Sequence, residues 1–250
     1  MLNNLKNNFL FALLFRGLSF ILAFFGLIDI VGVFINKVHP TTFLFYTIQS
    51  NIVVILFFLI LFIFTILKRN NKEETCKFGF FPRISSVLSM DIFVTMLVFW
   101  VLLLPSVIQT HDPVVIKKMF TFGNMQAHLI TPILMIFDYI FFNKRGKIKK
   151  FDSLYCVIFP YVYLLTTIPL GLTHAIKYEL GSGYYPYYFI DADKLHWWVV
   201  LNVFCLTIVF LSIYVAWQLL DHYLAKKQII KESENKKGIK PLTKNNITKK

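Results

Sequence analysis

The sequence has few cysteines and lacks the short motifs that carry much of soluble enzyme chemistry. Its three cysteines, Cys76, Cys156 and Cys205, fall at different expected depths, so they do not form a disulfide framework. The patterns CxxC and HExxH, the phosphate-binding loop and the GxSxG nucleophile elbow do not occur. The sequence therefore gives no local support for a metal site, a nucleotide site or serine-elbow catalysis. We expect neither a cofactor nor a metal.

Charged residues are also scarce, at 16%, whereas 57% of the 250 residues are hydrophobic. The mean hydropathy of +0.63 is far above that of a soluble domain. Six stretches of roughly 20 residues or more can cross the hydrocarbon core as helices. The fold class is therefore predicted to be all-α, a polytopic bundle of six transmembrane helices. The predicted spans are residues 9–35, 42–67, 84–108, 119–142, 154–176 and 196–220.

Acidic residues number only 13 against 26 basic ones, and the basic residues are unevenly distributed. Twenty of them fall at Lys6, in the second and fourth connections or after Leu224, whereas the other three connections hold five. The positive-inside rule then places both termini in the cytoplasm. The net charge of +13 reflects this membrane topology. We therefore expect membrane lipids as partners and no nucleic acid.

The chain is predicted to divide near residue 225. Residues 1–225 form the six-helix transmembrane domain, and residues 226–250 form a lysine-rich cytoplasmic tail. Because the tail is polar and almost free of aromatic residues, we predict that it is disordered and attracted to anionic lipid headgroups. The sequence leaves the oligomeric state open.

The second span begins with four polar side chains within five positions, in the stretch FYTIQSN. Thr47, Ser50 and Asn51 are spaced i, i+3 and i+4, so they share one helix face, whereas Gln49 points elsewhere. Thr47 is predicted to lie roughly 8 Å below the outer boundary of the membrane. A polar face is costly when it contacts lipid, so this one must face other helices or a cavity.

The fourth span contains a histidine at a similar predicted depth, in the stretch FGNMQAHLITPILMIFDY. His128 lies roughly 13 Å below the same boundary, and Asn124 lies one turn above it. Pro132 has no N–H, so the carbonyl of His128 loses its helical partner and the helix is predicted to kink. An ionisable residue inside a membrane is by default a candidate for function.

The sequence is equally compatible with purely structural roles for Thr47 and His128. Threonine in a membrane helix often bonds its own helix, and a single histidine is often a satisfied donor between helices. The sequence does not show that the two helices touch.

Other polar residues in the spans suggest structure as readily as function. Arg16, Asp91 and Asp138 are expected in the inner half of the membrane, where they would form a charge network. Proton or ion traffic is the alternative. Asp29 and His174 lie near outer helix ends, where they either line an entrance to the Thr47 site or simply sit at the interface.

The connection GSGYYPYYFIDADK before the last span is rich in tyrosine and includes Tyr185 and Asp191. Aromatic residues at a membrane surface usually anchor the protein there. Alternatively, this connection covers a cavity beneath it.

Three of these stretches resemble one known family. They are TIQSN at the start of the second span, NxxxHxxxP followed by Asp138 in the fourth, and YYPYYFIDADK with Asn202 beyond it. They resemble the androgen-induced and androgen-dependent family of six-helix membrane hydrolases and their bacterial relatives, over the chain up to about residue 220. The resemblance implies a bacterial cell-membrane threonine hydrolase that cleaves esters of fatty acids with hydroxy fatty acids. It places the nucleophile at Thr47 and the histidine at His128.

The chemistry of these two residues agrees with such a role. A threonine hydroxyl is a poor nucleophile at neutral pH and requires an adjacent base, which an imidazole supplies. Asn51 and Asn124 are the nearest candidate donors for an oxyanion, and Ser50 is the rival nucleophile on the same face. Asp138 is roughly 15 Å from His128 along the helix, so we expect a dyad without a triad acid.

Three functions remain in competition at this point. The first is hydrolysis of a lipid acyl ester that enters from the outer leaflet. The second is a transporter or a small-molecule or lipid-binding protein, which the intramembrane polar residues suit equally well. The third is a structural or regulatory protein that keeps the fold without the activity. A hydrolase works in detergent, whereas a transporter accumulates its substrate across a membrane.

Overall fold

The computed structural model describes residues 8–67, 81–179 and 181–236, which form helices and the connections between them. Within these residues, six helices are long and apolar enough to cross a membrane, which confirms the predicted class. The six are α1 (Phe9–Val31), α2 (Tyr46–Leu67), α3 (Phe81–Val98, continued by a π-helical turn Phe99–Leu103 and by Leu104–Ile108), α4 (Phe122–Met125, a π-helical turn Gln126–Ile130 and Thr131–Phe142), α5 (Asp152–Leu172) and α6 (Trp198–Lys236).

The connections define two ends of the bundle. The lid side carries residues 32–45, 109–121 and the lid connection, residues 173–197; the basic side carries residues 143–151. Because six long helices succeed one another between these two ends, both ends of the described chain lie on the basic side. The lid side holds short helices as well. These are Val33–Ile35, Pro40–Leu44, Pro113–Met119, Tyr188–Ile190 and Ala192–Leu195.

The first helix is shorter than the predicted span because a glycine ends it. Gly32 adopts the left-handed conformation at φ 88°, and its N–H bonds to the carbonyls of Asp29 and Ile28. At the other end, the side chain of Asn8 accepts from the N–H groups of Leu10 and Phe11, which caps the helix. Residues 33–35 therefore belong to a separate turn.

The last helix is longer than the predicted span. It continues to Lys236, so residues 226–236, which were expected to be disordered, are helical. The segment contains four lysines, two glutamates and one glutamine, which favour helices, and the first helix-breaking residue beyond it is Gly238. The rest of the predicted tail, residues 237–250, lies outside the described residues, as do Lys6 and Cys76.

The helices pack in an order that buries α2, α3 and α4 most. Helix α1 packs along α2 and α4, α3 packs against α2, α4 and α5, and α6 packs mainly against α5. The central cluster includes Phe58, Ile92 and Met135, which are fully buried. Only 11% of the apolar stretch of α6 is buried, against 50% for α4. Helix α6 is therefore peripheral, and its apolar surface is suited to contact with lipid.

Helices α1 and α4 approach closely at a glycine. A Cβ atom at Gly26 would lie 2.0 Å from Cγ of Gln126, so no larger residue fits without movement. Small residues at such crossings allow the side chains of a neighbouring membrane helix to pack against the backbone.

A buried ion pair also joins α1 and α4, nearer the basic side than Gly26. Arg16 Nε donates to Asp138 Oδ1 at 2.8 Å, and Arg16 Nη1 donates to Thr65 Oγ1 at 2.7 Å. Both charged side chains are buried. The predicted charge network is thus confirmed for Arg16 and Asp138. Asp91 is not part of it, because it makes no ion pair with Arg16.

Candidate functional site

A mostly apolar pocket lies between α2, α3, α5 and α6; with the open space at its mouth included, about 730 Å³ is free of protein atoms. Thr47 and Thr95 line it from α2 and α3, and the lid connection completes its wall through Tyr187, Phe189 and Ile190. The remaining wall is largely aliphatic and aromatic. It includes Val94, Val98, Leu103, Leu164, Val203 and Phe210. Most of the pocket surface is apolar, which suits an acyl chain, and the hydroxyl-bearing residues of the lining include Thr47 and Tyr187.

Thr47 forms its side-chain hydrogen bond to a tyrosine of the lid connection. Its N–H donates to Tyr187 Oη at 3.3 Å, and the two hydroxyl oxygens lie 3.4 Å apart. Because the phenol oxygen accepts the N–H, its own hydrogen is available for Thr47 Oγ1. Tyr187 is thus a site residue that the sequence analysis did not select. The only signal for it was the tyrosine-rich stretch itself.

The predicted lid residue Tyr185 has a different position. Its ring lies on Gly171 of α5, where an added Cβ would be only 2.1 Å from Tyr185 Cε1. Tyr185 is fully buried, and its hydroxyl has no hydrogen-bond partner among the described residues. It fastens the lid connection to α5 and does not line the pocket.

The polar face of α2 contacts neighbouring helices, as the sequence predicted. Ser50 Oγ donates to the carbonyl of Thr47 at 3.1 Å and lies 3.3 Å from Thr95 Oγ1. Asn51 Nδ2 donates to the carbonyl of Thr47 at 2.8 Å and to that of Ala127 at 3.3 Å. Asn51 therefore links α2 to α4 beside His128, and its amide is already engaged.

His128 lies on the π-helical turn of α4 and is 5% exposed. Its imidazole stacks on Phe99 of the π-helical turn in α3, with ring centroids 4.0 Å apart. Its carbonyl accepts from Trp100 Nε1 at 3.2 Å, which supplies the partner that Pro132 removes. The irregular backbone predicted here is thus a π-helical turn, a feature often found at functional sites.

The structure does not form a hydrogen bond between Thr47 and His128. Asn51 links α2 directly to α4 at the carbonyl of Ala127, and Ser50 links α2 to Thr95 of α3. Within the described part of the chain, His128 Nδ1 has no hydrogen-bond partner although it is buried. The two residues therefore lie on packed helices without the dyad bond that the sequence analysis expected.

Asn124 does not offer a free donor. Its amide donates to the carbonyl of Lys118 at 2.8 Å and lies 3.4 Å from Thr121 Oγ1, so it closes the turn that precedes α4. Helical spacing predicts that Asn124 lies one turn above His128. In the first turn of a helix, however, nearby backbone groups compete for the hydrogen bonds of such a side chain.

The two residues proposed for an entrance lie elsewhere on the lid side. Asp29 Oδ2 accepts from the N–H of Gly123 at 2.7 Å and so joins α1 to the start of α4. His174 Nε2 lies 2.9 Å from Asp193 Oδ2 on the exposed surface, and its ring stacks on Tyr184. Neither residue lines the pocket at Thr47.

Asp191 stabilises the lid connection from within. Its carboxylate accepts from Ser182 Oγ and from the N–H of Lys194, where it caps the helix Ala192–Leu195. Burial alone would raise the pKa of Asp191, but these hydrogen bonds and the Lys194 ammonium outweigh burial and lower the pKa below its usual value. Asp191 is therefore a structural residue of the lid.

Among the described residues, no three histidine, cysteine, aspartate or glutamate side chains converge as a metal site would require. The chain was also compared with known proteins. No family model, curated protein or solved structure matches it.

Proposed function

We propose that the protein hydrolyses acyl esters of lipids within the membrane, with Thr47 as nucleophile and His128 as general base. The observation that supports this best is the position of Thr47 in the wall of a mostly apolar pocket, with its hydroxyl beside that of Tyr187. The unpartnered Nδ1 of His128 on the neighbouring helix adds a group that can accept a proton. The substrate class, esters of fatty acids with hydroxy fatty acids, comes from the sequence resemblance.

The proposed reaction has two halves. Thr47 Oγ1 attacks the ester carbonyl carbon while His128 accepts the hydroxyl proton, and collapse of the tetrahedral intermediate breaks the ester C–O bond. The leaving alkoxide takes the proton from His128, and the acyl group remains on Thr47. A water molecule, deprotonated by His128, then attacks the acyl carbonyl. Release of the fatty acid returns the proton to Thr47.

Tyr187 replaces Asn51 and Asn124 as the proposed donor to the oxyanion. Both amides are engaged in other hydrogen bonds, whereas the Tyr187 hydroxyl already lies beside Thr47 Oγ1. The mechanism requires the Thr47 hydroxyl to turn from Tyr187 toward His128 when substrate binds. Catalytic hydrogen bonds commonly tighten only in the substrate complex.

A second candidate is binding or transport of an acyl lipid without hydrolysis. The observation that favours it is the same hydrogen bond between Thr47 and Tyr187, since a threonine that serves only to orient a ligand needs no base. The pocket is suited to either function. The two proposals differ in the roles of Thr47 and His128, which must act as nucleophile and base only if the ester is hydrolysed.

The test is hydrolysis of a synthetic fatty acid ester of a hydroxy fatty acid by the purified protein in detergent. Thr47→Val and His128→Ala should each abolish release of the fatty acid, and the double variant should be no worse than either. Thr47→Ser should retain part of the activity, because the hydroxyl remains without the methyl group that fixes its rotamer. A fluorophosphonate probe should label the peptide that contains Thr47.

Two controls make the result specific. Thr166→Val is the same substitution in a membrane helix, at a hydroxyl that bonds only to carbonyls of its own helix, and it should leave hydrolysis unchanged. Ser50→Ala removes the rival nucleophile and should keep most of the activity. Full turnover by Thr47→Val, or probe attached to Ser50, would reject the threonine mechanism and favour lipid binding.

A further inference from the structure

A second pocket lies between α2, α3 and α5; with the open space at its mouth included, about 650 Å³ is free of protein atoms. It shares no lining residue with the pocket at Thr47. Its wall combines Asp91 and Ser50 with apolar side chains. These include Val53, Val54, Leu88, Ile92, Ile158 and Phe159.

Asp91 is the unusual group in this wall. Its side chain is 7% exposed, and its carboxylate has no hydrogen bond or ion pair with any residue in the described ranges. Ser50, another polar residue of the wall, already donates to the carbonyl of Thr47 and lies 3.3 Å from Thr95 Oγ1. An isolated carboxylate at membrane depth is costly, and such residues usually mark a ligand or ion site.

The composition of the wall decides which ligand fits. A metal ion would need several oxygen ligands to replace its hydration shell, whereas Asp91 and an engaged Ser50 are almost all this wall offers. A proton alone would neutralise Asp91 but would leave the space between the apolar walls unfilled. A single ammonium group joined to an apolar chain matches both features, because the carboxylate pairs with the charge and the walls cover the chain.

The pocket is open toward the lipid phase. Tyr155 and Ile158, which line it from α5, are 53% and 51% exposed, and Val53 on α2 is 36% exposed. These side chains belong to apolar helices that face hydrocarbon in a membrane. A ligand that first dissolves in the bilayer can therefore reach Asp91 sideways.

We propose that the Asp91 pocket binds a lipophilic amine, with the ammonium group paired to the Asp91 carboxylate and the hydrocarbon chain between α2 and α5. The proposal does not depend on hydrolysis at Thr47. The probe for testing it is dodecylamine that carries a photoreactive diazirine on its chain, added to the full chain in phosphatidylcholine nanodiscs. Labelled peptides are identified by mass spectrometry.

The expected result is labelling of peptides around Val53, Asp91 or Ile158. N,N-dimethyldodecylamine should compete, whereas dodecanol, which has the same chain without a charge, should compete at least tenfold less well. Asp91→Asn should reduce labelling at least tenfold, and Asp91→Glu should retain most of it. Asp193→Asn, the same change at an exposed site, should have no effect.

Two further variants keep the test decisive. If Asp91→Asn does not fold, Val53→Trp fills the mouth of the pocket without altering charge, and it should reduce labelling equally. Thr47→Val should label as well as the parent, which separates this proposal from the proposed function. Equal competition by dodecanol, equal labelling of Asp91→Asn, or labelling confined to other helices would overturn the proposal.

Discussion

Two tyrosines of the lid connection, only two positions apart, have opposite roles. Tyr187 reaches Thr47 with its hydroxyl, whereas Tyr185 turns toward α5 and leaves its hydroxyl without a described partner. The sequence offers no period that separates them, because the connection is neither a strand nor a regular helix at this point. Their roles depend on the path of the backbone between Ser182 and Ile190.

This difference predicts unequal effects of the same small change. Tyr187→Phe removes the proposed oxyanion donor and should lower kcat for ester hydrolysis by about 10²–10³. It should change KM little, because the ring remains in the pocket wall. The measurement is steady-state hydrolysis by the purified variant.

Tyr185→Phe is the matched control. It removes a hydroxyl that makes no hydrogen bond to a described residue, so activity and thermal stability should stay close to those of the parent. If both variants lose activity equally, the Tyr187 hydroxyl has no special role and the assignment fails.

The sequence predicted the placement of polar residues around the candidate site as far as helical geometry allows. The period of α2 placed Thr47, Ser50 and Asn51 on one face, and that face does contact other helices. Pro132 predicted that the carbonyl of His128 lacks a helical partner, and Trp100 Nε1 donates a hydrogen bond to that carbonyl. The partners of Thr47 and Asn124 were not predictable, because they depend on how separate segments fold against each other.

At the scale of elements, one guanidinium group on α1 forms hydrogen bonds to both α4 and α2. Arg16 donates to Asp138 and Thr65, so it joins three helices near the basic side. Asp138 is fully buried and also lies within 3.5 Å of Asn143 Nδ2. Removal of either charge leaves the other without its partner in an apolar region.

Arg16→Met should therefore destabilise the protein strongly, by about 3 to 5 kcal/mol, in chemical unfolding in detergent. Arg16→Met combined with Asp138→Asn should recover much of this loss, because no unpaired charge remains. Lys147→Met, at an exposed position of the basic side, should change the free energy of unfolding little. Unfolding curves for the single and double variants that match the parent would show that the pair contributes nothing.

The lid connection is predicted to loosen only in acid. The pKa of Asp191 is lowered in the folded protein, so its contribution to lid stability is complete above the unfolded value near 3.9. That contribution is lost as pH falls through the lower, folded value. Hydrogen exchange of residues 181–195 should thus be protected equally from pH 7 to about pH 5 and should accelerate below about pH 4, after correction for intrinsic rates.

Asp191→Asn tests the cause. The variant should exchange faster than the parent already at pH 7, and most of the acid dependence should disappear. Persistence of the full acid dependence in Asp191→Asn would assign it to another carboxylate of the lid side, such as Asp193 or Glu179.

For the whole molecule, the distribution of basic residues predicts the orientation in the membrane. The basic side should face the cytoplasm and the lid side the exterior. In a variant without native cysteines, Glu179→Cys should react with an impermeant maleimide in intact cells. Lys147→Cys should react only after the cells are opened. Both positions are exposed in the structure, so the reverse pattern would invert the topology.

Most of the fold was accessible from the sequence because apolar length alone identifies helices that can cross a membrane. The observed helix ends differ from the predicted ones where a local residue, and not the length of the apolar stretch, determines where the helix stops. Gly32 ends α1 before residue 35, and the absence of a helix breaker before Gly238 extends α6 to Lys236. The order of helix packing was not predictable, since all six helices are apolar on most of their surface.

The peripheral position of α6 has a kinetic consequence. This lightly packed helix forms one wall of the Thr47 pocket, so a lipid can pass beside it while little protein contact is lost. In the proposed hydrolysis, the lipid substrate would reach the protein by lateral diffusion, and its effective concentration would be its mole fraction among the surrounding lipids. Dilution of the bilayer with inert phospholipid, at constant amounts of protein and substrate, should then slow turnover. A change in the aqueous volume should not.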